Sequence, residues 1–128
     1  TELGALDFSG KGLATCPIEA ILQQENLGSL NLAGNKLSRL PSELGLLTGL
    51  TNLNLAGNQL ESLPTELGLL TSLELLGLKD NQLRELPSEL GNLSKLKALF
   101  LTGNRLERLP SEIGKLASLR KLQAGSNA

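Results

Sequence analysis

The chain has no histidine, tryptophan, tyrosine or methionine, and a single cysteine. Each absence removes a class of function. Without histidine, the commonest general base and the commonest neutral metal ligand are missing. One cysteine cannot assemble a zinc site, so no metal and no cofactor is expected. Aromatic residues are confined to Phe8 and Phe100, which leaves an aliphatic core. Twelve basic residues stand against 13 acidic ones, for a net charge of −1. That balance argues against general nucleic-acid binding. No run reads as a membrane span or a signal segment, so membrane insertion is not expected.

What the chain does have is a repeat. Pro41, Pro64, Pro87 and Pro110 stand 23 residues apart, and Asn35, Asn58, Asn81 and Asn104 keep the same interval. A fixed period of this length is the mark of a stacked architecture. In the unit from Leu50, the period-two pair Leu53 and Leu55 predicts a short strand with one buried face. Such a strand is unstable alone but forms a parallel sheet when copies stack. The segment Pro64-Thr65-Glu66-Leu67-Gly68 predicts a single helical or 3₁₀ turn. Proline suits its first turn, Glu66 its positive end, and Gly68 a left-handed stop. Leu67 and Leu70 are expected to face inward.

The recurring asparagine sits among leucines, where an unpaired amide is costly. Its two donors and one acceptor oxygen predict a structural ladder between coils through Asn35, Asn58, Asn81 and Asn104. Cys16 aligns with Leu40, Leu63, Leu86 and Leu109 and reads as a small buried hydrophobe. Glu61, Arg84 and Glu107 occupy equivalent positions, as do Glu85 and Arg108, which predicts exposed ion pairs between successive coils.

These residues resemble the leucine-rich repeat family. The motif L-x-x-L-x-L-x-x-N-x-L-x-x-L-P recurs four times, and its L-P-x-x-L-G-x-L continuation is similar to the 23-residue class of Ras-pathway scaffolds, Scribble-type polarity proteins, plant relatives and bacterial proteins. The resemblance implies an α/β, right-handed solenoid. Short parallel strands would line its concave face and short helical or 3₁₀ turns its convex face. It also implies that a protein partner docks on the concave sheet. Secreted members commonly seal their ends with paired cysteines, absent here, so a cytoplasmic or intracellular setting is expected.

One domain over residues 1–128 is expected, with five full repeats and a partial sixth. Its first unit is atypical: Lys11 stands where asparagine belongs, Cys16-Pro17 replaces Leu-Pro, and the stretch from Ile18 to Asn26 is one residue longer than its counterparts. Ile18, Ile21 and Leu22 have helical spacing there. At the other end, Leu119 and Leu122 open a sixth unit in which Ala124 replaces leucine. The chain is expected to be a processed or excised piece of a longer protein.

In the family's geometry three rows line the sheet face. They run Ala5, Ser29, Asn52, Leu75, Ala98, Lys121; Asp7, Asn31, Asn54, Gly77, Phe100, Gln123; and Ser9, Ala33, Ala56, Lys79, Thr102, Gly125. Most are small or uncharged. Leu75 and Phe100 stand out beside Ala98, with Gly77 leaving space and Lys79 at the rim. An aromatic next to an aliphatic with a charged border is what a binding hot spot requires. Isolated exposed apolar residues are also common without any role. Residues 95–128 hold seven basic residues against Glu107 and Glu112, which reads first as solvated faces sampled unevenly and second as an asymmetry suited to steering an acidic partner.

A phosphate loop around Gly10-Lys11 is excluded by its spacing and by the missing Ser or Thr. The recurring Glu43, Glu66, Glu89 and Glu112 read as turn electrostatics, not as an acid–base pair. The sequence therefore predicts a non-enzymatic protein-interaction module. Its partner-binding residues would be Leu75, Ala98, Phe100, Lys79, Asn31, Asn54 and Arg105. Two alternatives stay open: the sensing arm of a larger kinase, GTPase or ligase, and a self-assembling solenoid. Oligomeric state is open.

Overall fold

Residues 3–127 are described by a computed structural model. Six short strands form one sheet: β1 (Gly4–Asp7), β2 (Leu27–Asn31), β3 (Asn52–Asn54), β4 (Leu75–Gly77), β5 (Ala98–Phe100) and β6 (Lys121–Gln123). They lie in sequence order and every neighbouring pair is parallel. Parallel neighbours need a crossover connection. Here each crossover is one turn of helix. The first is an α-helix, α1 (Ile18–Leu22), as its spacing predicted. The next four are 3₁₀ turns at Ser42–Leu46, Thr65–Leu69, Ser88–Asn92 and Ser111–Lys115. Strands on one side and helical turns on the other make the leucine-rich-repeat solenoid.

Register follows from the period. Leu30 pairs with Leu53, Leu53 with Leu76, Leu76 with Leu99, and Leu99 with Leu122. The shift is 23 residues throughout, except that Ala5 pairs with Ser29 after an irregularity at Gly4/Ala5. That irregularity absorbs the extra residue of the first unit. The core behind the sheet is leucine plus Ile21, and Leu53 and Leu76 are completely buried. From the turn side, Leu67 and Leu70 close the same core.

Three local expectations need correction. Pro64 does not sit inside the first helical turn. It precedes the turn in an extended conformation, φ −68° and ψ 145°, which its ring favours. Gly68 does not supply a left-handed stop. Positive φ falls instead at Gly34, Gly57 and Gly103, on the strand exits. At Gly68 the glycine permits close approach: a Cβ there would lie 2.5 Å from the Glu89 carbonyl oxygen of the next coil. Gly45 and Gly91 face the carbonyls of Glu66 and Glu112 in the same way, at 2.7 and 2.5 Å. Finally, Glu61, Arg84 and Glu107 form no ion pairs, and neither do Glu85 and Arg108. Among the described residues the single ion pair joins Lys97 Nζ to Glu74 Oε1 at 3.2 Å. Exposed long side chains gain too little from pairing to be held in one geometry.

Candidate functional site

Two sets of polar residues organise the strand side, one inside and one outside. Inside are the asparagines of the strand exits. Asn58 Oδ1 accepts from the Leu37 backbone N–H at 3.0 Å, while its Nδ2 donates to the carbonyls of Leu32 and Leu55, both at 3.0 Å. Asn81 and Asn104 repeat this arrangement. Asn35 bonds the N–H groups of both Lys11 and Leu13 and the carbonyls of Phe8 and Leu32. Each side chain thus ties its own coil to the one before. Among the described residues, no buried side-chain polar atom is left unpaired.

Asn127 makes a fifth rung, with Oδ1 accepting from Leu106 N–H at 3.1 Å and Nδ2 donating to the Leu101 and Ala124 carbonyls. Its signal in the sequence was the same 23-residue step beyond Asn104.

Outside lies the open face of the sheet. Leu75 pairs with Ala98, and Gly77 with Phe100, so strand register brings Leu75, Ala98 and Phe100 together on β4 and β5. All three are half-buried: their flanks rest on neighbours and part of each remains in water. Lys79 continues the alternation of Leu75 and Gly77 and is exposed. The cation seated on Phe100 is Lys121 from β6, with Nζ 5.6 Å from the ring centroid. Sequence reasoning placed Lys121 in the face rows but not at the ring. Paired with Ala98, it reaches Phe100 only along the diagonal.

The polar flank is less uniform than the sequence implied. Asn54 pairs with Gly77, and a Cβ on that glycine would stand 3.0 Å from Asn54 Oδ1. The space expected above Gly77 is therefore partly taken by Asn54. The same oxygen accepts from the Ala56 N–H at 3.1 Å, and Asn31 does likewise for Ala33 at 3.0 Å. Both asparagines hold the strand exit with one atom and keep their amide donors outward. Asn31 lies three strands from Phe100, about 14 Å at the usual strand spacing. Arg105 is exposed just past the Asn104 rung.

Family models of the leucine-rich repeat match residues 71–128, and residues 26–47 and 49–70. The chain belongs to the leucine-rich-repeat family. Among solved structures, an internalin of Listeria monocytogenes is similar, with 37% identity and a TM-score of 0.71 over 80% of this chain. A leucine-rich-repeat protein of Leptospira interrogans has 32% identity over 91% of this chain and a TM-score of 0.48. This chain spans 29% of the first protein and 41% of the second. No curated protein gives a match.

Within this leucine-rich-repeat frame, reactive chemistry is sparse. No three His, Cys, Asp or Glu side chains converge as metal ligands among the described residues. No described helix is long and apolar enough to cross a membrane. Cys16 is half-buried against the core, and burial pushes its thiol up to about 11. A thiol held neutral in this way is a poor nucleophile. Asp7 accepts from both the N–H and the hydroxyl of Ser9, and those bonds hold its carboxyl below the ordinary value.

Proposed function

We propose that this chain is a non-enzymatic recognition module that docks a protein partner on the outer face of its sheet, centred on Leu75, Ala98 and Phe100. The observation that carries this reading is the register of β4 and β5. It sets an aromatic and an aliphatic side chain, each partly in water, across adjacent strands, with the small Ala98 and Gly77 as their strand partners and Lys121 over the ring. Backbone hydrogen bonds fix both strands, so little freedom is lost on binding. Preformed surfaces of this kind gain affinity by avoiding ordering costs. Lys79, Asn31, Asn54 and Arg105 form the polar surround, with Asn31 and Asn54 offering amide donors. An intracellular setting belongs to this reading and rests on the single, half-buried Cys16. No turnover and no cofactor are part of it.

The test is re-binding of an affinity-captured partner to the wild type, Phe100→Ala and Leu75→Ser, with thermal stability matched. Each variant is expected to lose about tenfold or more in affinity, the scale of a hot-spot truncation. Equal recovery by all three proteins would rule this face out.

A further inference from the structure

Charge divides the open face into two halves. On β1 to β3 the face rows hold one charged residue, Asp7, and it is anionic. On β4 to β6 they hold Lys79 and Lys121 and no acid. Among the described residues neither lysine has a carboxylate partner, the only ion pair there being Lys97–Glu74. Just outside these rows Arg105 and Arg120 are exposed, as is the acidic Asp80, while Glu74 beside Leu75 is paired with Lys97.

The two lysines are placed symmetrically about Phe100. Gly77 is its partner on β4, and Lys79 lies two residues further along. Gln123 is its partner on β6, and Lys121 lies two residues back. With strands about 4.8 Å apart and a rise of about 3.3 Å per residue, each lysine Cα stands about 8 Å from that of Phe100, on opposite sides. An extended chain presents residues i−2, i and i+2 on one face, about 6.6 Å apart. The two spacings match to within the reach of a lysine side chain.

We propose that the partner segment seated here is acidic: an extended stretch with an apolar residue against Phe100 and Leu75 and a carboxylate two residues to either side. This rests on the docking face proposed above and adds the chemistry of its occupant. Lys121, whose Nζ is already over the ring, meets one carboxylate. Lys79 meets the other. Complementarity of this kind sets register and speeds encounter.

Fluorescence anisotropy with three labelled peptides tests it. They carry Glu-Ser-Leu-Ser-Glu, Gln-Ser-Leu-Ser-Gln or Lys-Ser-Leu-Ser-Lys within identical Thr/Ser flanks. The acidic peptide is expected to bind about tenfold tighter than the neutral one, a gap that narrows from about 50 to about 300 mM salt. The basic peptide is expected to bind weakest. Lys79→Glu with Lys121→Glu, both on exposed side chains, is expected to reverse the order without altering the fold. Equal binding of acidic and neutral peptides, both lost in Phe100→Ala, overturns the acidic partner but leaves the face. Binding insensitive to Phe100→Ala overturns both. A thymidine oligonucleotide that displaces the acidic peptide as well as unlabelled peptide does shows a general polyanion surface and overturns the proposal.

Discussion

Gly68 and Gly114 stand at the same place in the same motif, and their surroundings differ completely. A Cβ on Gly68 would run into the Glu89 backbone of the adjoining coil, whereas one on Gly114 would meet nothing within 4 Å. The same contrast recurs at other repeat positions. Leu53 is fully buried between β2 and β4, while Leu122, its equivalent on β6, is 42% exposed. Asn58 makes its principal bonds in the buried interior, while the bonds of Asn127 are partly open to water. In each pair the residue and its motif position are the same, and only one member has a coil stacked beyond it. The motif therefore encodes half of an interface, and the adjoining coil supplies the rest. Stability in such stacks is a sum of nearest-neighbour terms.

That contrast can be broken most readily at the leucines. Leu53→Ala is expected to cost about 3–5 kcal/mol in urea unfolding, the range for a large cavity in a close-packed core. Leu122→Ala is expected to cost about 1 kcal/mol, because less of its surface leaves water on folding. Similar losses at the two sites would end the comparison. At the next scale, Asn58→Ala is expected to cost about 1–3 kcal/mol through the backbone groups it strands. Asn127→Ala is expected to cost less than about 1 kcal/mol, since water replaces its bonds. Amide exchange sharpens this pair. Leu37 N–H should lose protection in the first variant, and Leu106 N–H should change little in the second.

How much of this was legible follows from what kind of constraint each residue answers. Leu53, Leu55 and Asn58 answer to burial, which acts the same way in every coil, so periodicity alone predicted the strand, the core and the ladder. Gly68 was misread because glycine has two uses, reaching positive φ and letting backbones approach, and both give the same letter. Only the position of the Glu89 carbonyl separates them. The strand exits show the other use, and there Asp80 takes φ 57° where Gly57 has 69°. The pairs Glu61–Arg84 and Glu85–Arg108 were misread because alignment in a row fixes backbone positions, not the ends of long exposed side chains. On the outer face, Leu75, Ala98 and Phe100 were legible from alternation. Lys121 over the ring was not, because a diagonal contact between strands depends on register and on side-chain direction together.

The glycine pair tests the central claim most directly, because only the first of the two motif positions has an adjoining coil against it. Gly68→Ala and Gly114→Ala make the same chemical change at the same motif position. Chemical unfolding of the two variants is predicted to show a loss of about 1–2 kcal/mol for Gly68→Ala, from overpacking against backbone. For Gly114→Ala it is predicted to show no loss, or a gain of up to about 1 kcal/mol from reduced freedom of the unfolded chain. Equal destabilisation at both positions would contradict the account, since it would place the cost within the turn itself and not in the approach of the next coil.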